Sequence, residues 1–392
     1  MQPPGADTLV IRYGEIGIKS HSQRIQMAER LQTNVAAVLD DRDLSADLTS
    51  EHGRLYAHTD EVRAVTDAVT DVFGVVSASP AVRVEPTLDA IHDALAATAV
   101  KQYDGSSYAV RAHRAGPESA HPFSSVDIER SGGEVVGETT RDAGIEPAVD
   151  LDNPDLTFFV ECRPEKAFVF LEKRAGPGGL PIGTQEPLVA LVSGGLDSPV
   201  AAWKAMKRGC PVVPLYVDLG AYGGVDHRMR AIETTERLQR YAPNYDLGLR
   251  VAPGGTAAER IADADNYGML LLRRFMLQVA EAVVADVDAV GIVTGESIGQ
   301  KSSQTGANLR VTAAATDLPV HRPLVTVDKT AITERAKEIG TYDGATIDTG
   351  CHRLAPDQPA TKAPLAAVEN AEPEAMARLA AEAAAERTLE SQ

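Results

Sequence analysis

Residues 188–200, Leu-Val-Ala-Leu-Val-Ser-Gly-Gly-Leu-Asp-Ser-Pro-Val, constrain the fold more than any other stretch of this chain. The apolar run 188–192 has the length and character of a short buried strand. Ser193, Gly194 and Gly195 then turn the chain, and Asp197, Ser198 and Pro199 open a helix. Ser198 suits an N-cap and Pro199 the first helical position, where a missing N–H costs nothing. Two glycines let a ligand approach the backbone closely, and the helix N-terminus behind them adds partial positive charge. Such a turn suits a phosphate or pyrophosphate. It is not a Walker A loop, because no Gly-Lys-Ser/Thr follows. An ordinary strand-to-helix turn would account for Gly-Gly alone, but the whole pattern Ser-Gly-Gly-x-Asp-Ser is more specific.

Around this stretch strands and helices alternate. The pattern predicts strands at 212–217, 248–252 and 289–293, and helices at 225–241, 257–285 and 330–339. Such alternation implies an α/β, doubly wound parallel sheet that binds ligands at the carboxyl ends of its strands. The Ala/Glu-rich tail 364–392 reads as helical, without a catalytic signal. Before the connector 175–187, rich in Gly and Pro, lie two smaller units. A strand at 8–13, a turn at 14–20, a helix at 22–39, a hairpin through His52-Gly53-Arg54, a helix at 62–73 and a strand at 75–84 suggest a ferredoxin-like unit. Helices at 87–100 and 127–141, with strands at 107–113, 156–163 and 166–173, make the second. We set the domain limits at 1–58, 59–174 and 188–392, with 175–187 as linker.

Charge narrows the partners. With 56 acidic and 38 basic residues the chain carries −18, and the acids are spread through periodic segments rather than held in a tail. That fits a surface adapted to a salt-saturated cytoplasm, where molar ions screen self-repulsion. An acidic chain is a poor general nucleic-acid binder, so RNA would need a local basic patch. No run approaches ~20 apolar residues, which excludes a spanning helix. The N-terminus has no signal-peptide pattern, so the expected compartment is the cytoplasm. Cys162, Cys210 and Cys351 lie far apart, with no Cys-x-x-Cys pair, which argues against zinc.

The loop Ser193 to Ser198 resembles the pyrophosphate (PP) loop of the ATP pyrophosphatases, which split ATP between its α and β phosphates. Arg111, His113 and Arg114 alone read as a solvated strand end, but the following 122–130 resembles the THUMP module, which grips the acceptor end of tRNA. The stretches 179–185, 193–198, 294–305, 308–310 and 322–324 together resemble the tRNA 4-thiouridine synthetases, or tRNA sulfurtransferases. With 16–20 and 123–130 the resemblance covers residues 1 to about 365. It implies an N-terminal ferredoxin-like unit, a THUMP domain and a PP-loop ATP pyrophosphatase domain. The implied reaction is ATP- and magnesium-dependent conversion of uridine to 4-thiouridine, expected at position 8 of tRNA.

By that resemblance Ser193, Gly194, Gly195 and Ser198 hold pyrophosphate, and the backbones of Leu191, Val192, Tyr216 and Val217 line the nucleotide. Gly295 admits the adenosine, and Arg273 and Gln304 contact ATP. Taken alone, Arg273 beside Arg274 reads as a solvated helical face. Asp197 is expected to hold magnesium or orient the phosphates, with a simple helix cap as the competing role. Cys351, flanked by His352 and Arg353, is the expected catalytic sulfur carrier, because nearby positive charge favours a thiolate. Cys162 and Cys210 read as packing residues. Lys19, Arg111, Arg114, Lys301 and Arg310 are the candidate RNA contacts, with Lys301 equally suited to phosphate.

The chain departs from parts of that family. It shows no rhodanese domain and no fourth cysteine, and Met269 to Leu272 stand where other members carry a Cys-x-x-Cys for an iron–sulfur cluster. No such cluster is expected, and a role in thiamine synthesis is in doubt. Expected partners are tRNA and a sulfur donor, either a cysteine desulfurase or sulfide, with a homodimer left open. Two rivals stand: another PP-loop adenylating enzyme, such as a 2-thiolation type, and a non-catalytic THUMP RNA-binding protein.

Overall fold

The computed structural model describes residues 1–18, 20–51, 53–223, 225–262, 267–342, 354–355 and 358–390. Two units divide the chain, Met1–Gly179 and Leu180–Gln392, and the break falls inside the Gly/Pro-rich connector.

The first unit opens with β1 (Thr8–Tyr13), α1 (His21–Asp41), β2 (Asp47–Glu51), β3 (Arg54–His58), α2 (Val62–Val69) and β4 (Val75–Val84). These strands pair antiparallel in the order β2-β3-β1-β4. Alternation along β1 sends Leu9 and Ile11 toward one core, shared with Leu31 and Val35 of α1 and Val65 and Val69 of α2. Residues of α2 and β4, beyond the limit set at 58, thus pack in one core with β1 and β3. Helix α2 stops at Val69, short of the expected Phe73.

Next come α3 (Leu88–Gln102), β5 (Ser107–Arg114), α4 (Ser125–Asp142), β6 (Ala148–Val149), β7 (Leu156–Arg163), β8 (Lys166–Phe170) and β9 (Arg174–Ala175). They extend the sheet as β4-β8-β7-β5-β6, with β9 also on β4. Helix α4 starts two residues before the expected 127, because Ser124 and Asp127 form a capping box. Its Gly132 packs close to α3: a Cβ there would come within 2.8 Å of Leu95 Cδ1, and that side chain would have to shift.

A charged cluster is buried in this sheet. The Glu161 carboxylate, 3% exposed, meets Arg12 at 2.9 Å, Arg163 at 2.8 Å and Arg54 at 3.3 Å. Burial pushes its pKa up, but the three guanidiniums outweigh that and hold it below the ordinary glutamate value.

The second unit contains β10 (Leu188–Leu191), α5 (Asp197–Lys207), β11 (Val212–Asp218), α6 (Val225–Gln239), β12 (Leu249–Pro253), α7 (Gly255–Ala262) and α8 (Gly268–Asp286). It continues with β13 (Ile292–Val293), α9 (Gly306–Ala313), β14 (Val320–His321), α10 (Lys329–Glu338), α11 (Leu365–Ala371), α12 (Met376–Ala385) and β15 (Thr388–Glu390). The sheet order is β14-β13-β10-β11-β12-β15, parallel except at β15, so β10 is central with both edges paired. The doubly wound expectation holds.

Three local expectations need correction. The helix expected at 257–285 is described as two, α7 and α8, with 263–266 outside the described residues. Gly268 begins α8 where a Cβ would lie 2.4 Å from the Leu354 carbonyl oxygen. Strand 289–293 shrinks to Ile292–Val293, and the tail ends not in helix but in β15, hydrogen-bonded to β12.

Glu161→Gln is expected to destabilise the first unit by about 3–5 kcal/mol, because it leaves buried guanidiniums without their anion. The wild-type contribution should be fully present above the unfolded glutamate pKa and lost as pH falls through the lower folded value. Urea unfolding in molar KCl, followed by hydrogen exchange in β7, should show that acid slope flattened in the variant.

Candidate functional site

The site grows from the carboxyl end of β10. Val192 N–H donates to the Leu215 carbonyl at 2.8 Å, setting the turn of residues 193–196 beside Tyr216 and Val217 at the end of β11. Here Ser198 corrects the expectation of an N-cap. It is the second residue of α5, and its hydroxyl turns back to the loop, accepting from Ser193 N–H at 2.9 Å. The two serine hydroxyls lie 3.1 Å apart, and Gly195 N–H donates to Ser193 Oγ at 3.3 Å. Leu196 precedes the helix without a side-chain cap, leaving its first amide groups available to an anion.

The glycines serve separate needs. A Cβ on Gly194 would come within 2.8 Å of His227 Nδ1 and 3.1 Å of the His227 backbone, so Gly194 is demanded by α6 as well as by any ligand. A Cβ on Gly295 would lie 2.7 Å from Ser198 N, which places the 294–296 backbone directly against the start of α5. Leu191, Val192, Ser193, Gly194, Gly195, Ser198, Tyr216, Val217 and Gly295 are therefore gathered at the carboxyl ends of β10 and its neighbours.

Asp197, the first residue of α5, is bound by Lys329 Nζ at 2.7 Å from the start of α10. Sequence reasoning missed Lys329, which stands 132 positions away with no motif signal of its own. Arg273 is not on a solvated face: its Nη1 donates to Glu296 Oε1 at 2.9 Å. Arg274 is buried, pairing with Glu372 at 2.8 Å. Gln304 is also buried, and its Oε1 accepts from Ser297 N–H at 3.2 Å. Glu296 receives Arg322 Nε at 2.7 Å and the Thr294 hydroxyl at 2.9 Å on its second oxygen. Burial raises its pKa, yet Arg273, Arg322 and those hydrogen bonds carry it below the ordinary glutamate value.

Asn308 is a further residue without an assigned role in the sequence. It is fully buried, donates to the Ser302 and Ala360 carbonyls at 2.8 Å each, and accepts from Ala363 N–H at 3.0 Å. With the Thr305 hydroxyl on the Thr361 carbonyl at 2.6 Å, it ties residues 360–363 to the loop that ends in Gln304. Cys351 and Lys19 lie outside the described residues. Burial pushes the Cys162 thiol up to about 11, and that of Cys210 is also raised, so neither suits nucleophilic work. Among the candidate RNA contacts, Arg111 donates to the Leu151 carbonyl, while Arg114 braces the carbonyls of Glu118 and Phe123 at 3.1 and 3.3 Å. Lys301 and Arg310 are exposed beside and on α9.

Comparison with known proteins agrees with this layout. Residues 183–377 match the family described as thiamine biosynthesis protein (ThiI), 8–79 the ThiI ferredoxin-like domain, and 85–172 the THUMP domain. A probable tRNA sulfurtransferase of Halobacterium salinarum is 55% identical over 96% of this chain and 95% of its own. The chain belongs to the ThiI family. A Methanosarcina acetivorans relative, also a probable tRNA sulfurtransferase, is 39% identical over 91% of this chain and 87% of its own. Among solved structures, a 4-thiouridine synthetase–RNA complex with bound ATP superposes with a TM-score of 0.85 at 29% identity, covering 98% of this chain and 99% of that one. The ferredoxin-like, THUMP and ThiI match regions follow the order read from the sequence.

Asn308→Ala should lower stability by about 2–3 kcal/mol, since one buried and two partly buried backbone groups lose their partner. Native-state exchange at the Ala363 amide should rise with it, and unchanged protection there would contradict the anchoring role.

Proposed function

We propose that this chain is an ATP-dependent tRNA sulfurtransferase that makes 4-thiouridine, expected at position 8. The observation that carries the reading is the Ser193–Ser198 turn against an uncapped helix start, with Lys329 on Asp197. The names of the relatives and the ATP- and RNA-bound neighbour support it.

Sulfur cannot displace a uracil carbonyl oxygen directly, because oxide is too poor a leaving group. Attack of O4 on the α phosphorus of ATP releases pyrophosphate and makes AMP the leaving group. The Ser193 and Gly195 region and the first amides of α5 suit the departing pyrophosphate, and Lys329, ion-paired with Asp197, has further N–H donors to offer it. Magnesium takes one or two carboxylates and completes its shell with phosphates and water, so Asp197 alone fits a nucleotide-borne ion. When bound it would neutralise phosphate charge. Leu191, Val192, Tyr216, Val217, Gly295, Arg273 and Gln304 are assigned to the nucleotide. Lys19, Arg111, Arg114, Lys301 and Arg310 are assigned to tRNA.

Sulfur enters as sulfide or as a persulfide on Cys351. Sulfide attacks C4 and AMP departs. A persulfide gives a C4–S–S–Cys351 link, which a second thiol must cleave. The donor, the homodimer and the cytoplasmic location belong to this proposal; no helix among the described residues is long and apolar enough to cross a membrane. So do the domain limits, where the shared core of β1, α2 and β4 favours moving the first limit from 58 to about 84.

Nucleoside analysis of tRNA treated with ATP, magnesium and sulfide in molar KCl should show 4-thiouridine with wild type. Asp197→Ala should lower the rate roughly 100-fold or more. With a persulfide-generating donor in place of sulfide, Cys351→Ala should give none. ATP consumption by wild type without 4-thiouridine would point to another adenylation target.

A further inference from the structure

Buried beside the PP loop is a carboxylate that binds two arginines. Glu296 Oε1 accepts from Arg273 at 2.9 Å, and Oε2 accepts from Arg322 at 2.7 Å. Glu296 is 4% exposed, so its charge is withdrawn from water. One carboxylate against two guanidiniums leaves one positive charge in excess. Arg273 Nε and Arg322 Nη2 are buried and have no hydrogen-bond partner among the described residues. Buried charges and donors left in that condition are costly, and an anion at their edge relieves the cost. The cluster lies close to the PP loop, because Gly295, next to Glu296, abuts the Asp197–Ser198 backbone.

Arg273 projects from α8, and Arg322 follows β14, two strands from β10. Glu296 ties both to the loop after β13, using each oxygen once, and the Thr294 hydroxyl fixes the carboxylate. We infer that Glu296 is a positioning residue for nucleotide phosphate: with Arg322 as its second anchor, it holds Arg273 toward the phosphate chain of ATP and leaves a net positive charge there. The inference rests on the ATP reading above and gives roles to Glu296 and to Arg322 of the Arg-Pro-Leu segment.

The sign of one substitution decides it. Removing the Glu296 charge makes the cluster more positive, so as a mere electrostatic neighbour Glu296 would weaken ATP binding and Glu296→Gln would strengthen it. As a positioning residue it must do the reverse. Titrations with ATP–magnesium and with adenosine in molar KCl should show Glu296→Gln weakening ATP at least tenfold while adenosine affinity stays within twofold. Glu296→Asp, which keeps the charge on a shorter arm, should fall between.

Glu296→Gln leaves two buried guanidiniums facing each other and is at risk of unfolding. The double variant Glu296→Gln/Arg322→Met removes that repulsion and keeps Arg273, and ATP should still bind at least tenfold more weakly with adenosine unaffected. Wild-type ATP affinity in the double variant, tighter ATP binding in the single one, or equal loss of ATP and adenosine would each overturn the inference. So would unchanged ATP affinity accompanied by loss of RNA binding, which would assign the cluster to an RNA phosphate. Failure of wild type to bind ATP would instead overturn the functional reading.

Discussion

Everything at this site depends on the turn that joins β10 to α5, and that turn is held by one hydroxyl. Ser198 folds back on Ser193, satisfying the Ser193 amide at 2.9 Å and lying 3.1 Å from the Ser193 hydroxyl. A side chain that capped the helix in the ordinary way would occupy the amides an anion needs. Here the polar side chain closes the loop instead, and the helix start stays open. The central place of β10 then matters, because its carboxyl end is flanked by β11 on one side and β13 on the other. Tyr216 and Val217 arrive from the first neighbour, Gly295 and Glu296 from just beyond the second. Gly295 is what permits the second approach, since any Cβ would strike the α5 backbone.

Charge in this protein is layered. The chain carries −18, and molar salt screens such a surface within a few ångströms, about 3 Å at 1 M. Buried groups escape that screening, and the interior clusters have the opposite balance. Glu161 sits among three arginines and Glu296 between two. Each places more cation than anion around a carboxylate that is withdrawn from water. In the second unit this leaves a net positive cluster inside an otherwise acidic protein.

The sequence made some of this legible and hid the rest for physical reasons. Strong local signals transferred well: the strand read at 188–192 is observed at 188–191, the turn follows it, and the helix read as opening around Asp197 to Pro199 begins at Asp197. So were β4 and β7, whose bounds the apolar pattern matched. The two-residue strand β14 carries too little pattern to locate, β13 was placed but drawn three residues too long, and β15 exists because three residues of the tail meet the free edge of β12. The misreading of Ser198 came from local propensity, which favours serine at an N-cap but cannot see a bond five residues back. Lys329, Glu296 and Asn308 were invisible as functional residues because their partners lie 132, 23 to 26 and 6 to 55 positions away. Adjacent arginines 273 and 274 looked solvated for the same reason: their carboxylates come from other elements.

The sulfur chemistry is constrained from the opposite direction. A thiolate needs positive charge or water nearby, and burial denies it both. Cys162 lies at 0% exposure within β7, where burial lifts its thiol to about 11. For Cys210, Glu186 adds to the effect of burial. Cys351 is therefore the one remaining cysteine of the chain, and it sits next to His352 and Arg353 in the sequence. The described chain that follows it is firmly held. Leu354 packs into the core against Gly268, and Asn308 fixes residues 360–363. Both anchors belong to the elements that build the nucleotide site: Gly268 starts the helix that carries Arg273, and Asn308 follows Gln304 by four residues. The described residues Leu354 and 360–363 are thus tied to α8 and to the loop that ends in Gln304, the two elements that carry the residues proposed for ATP.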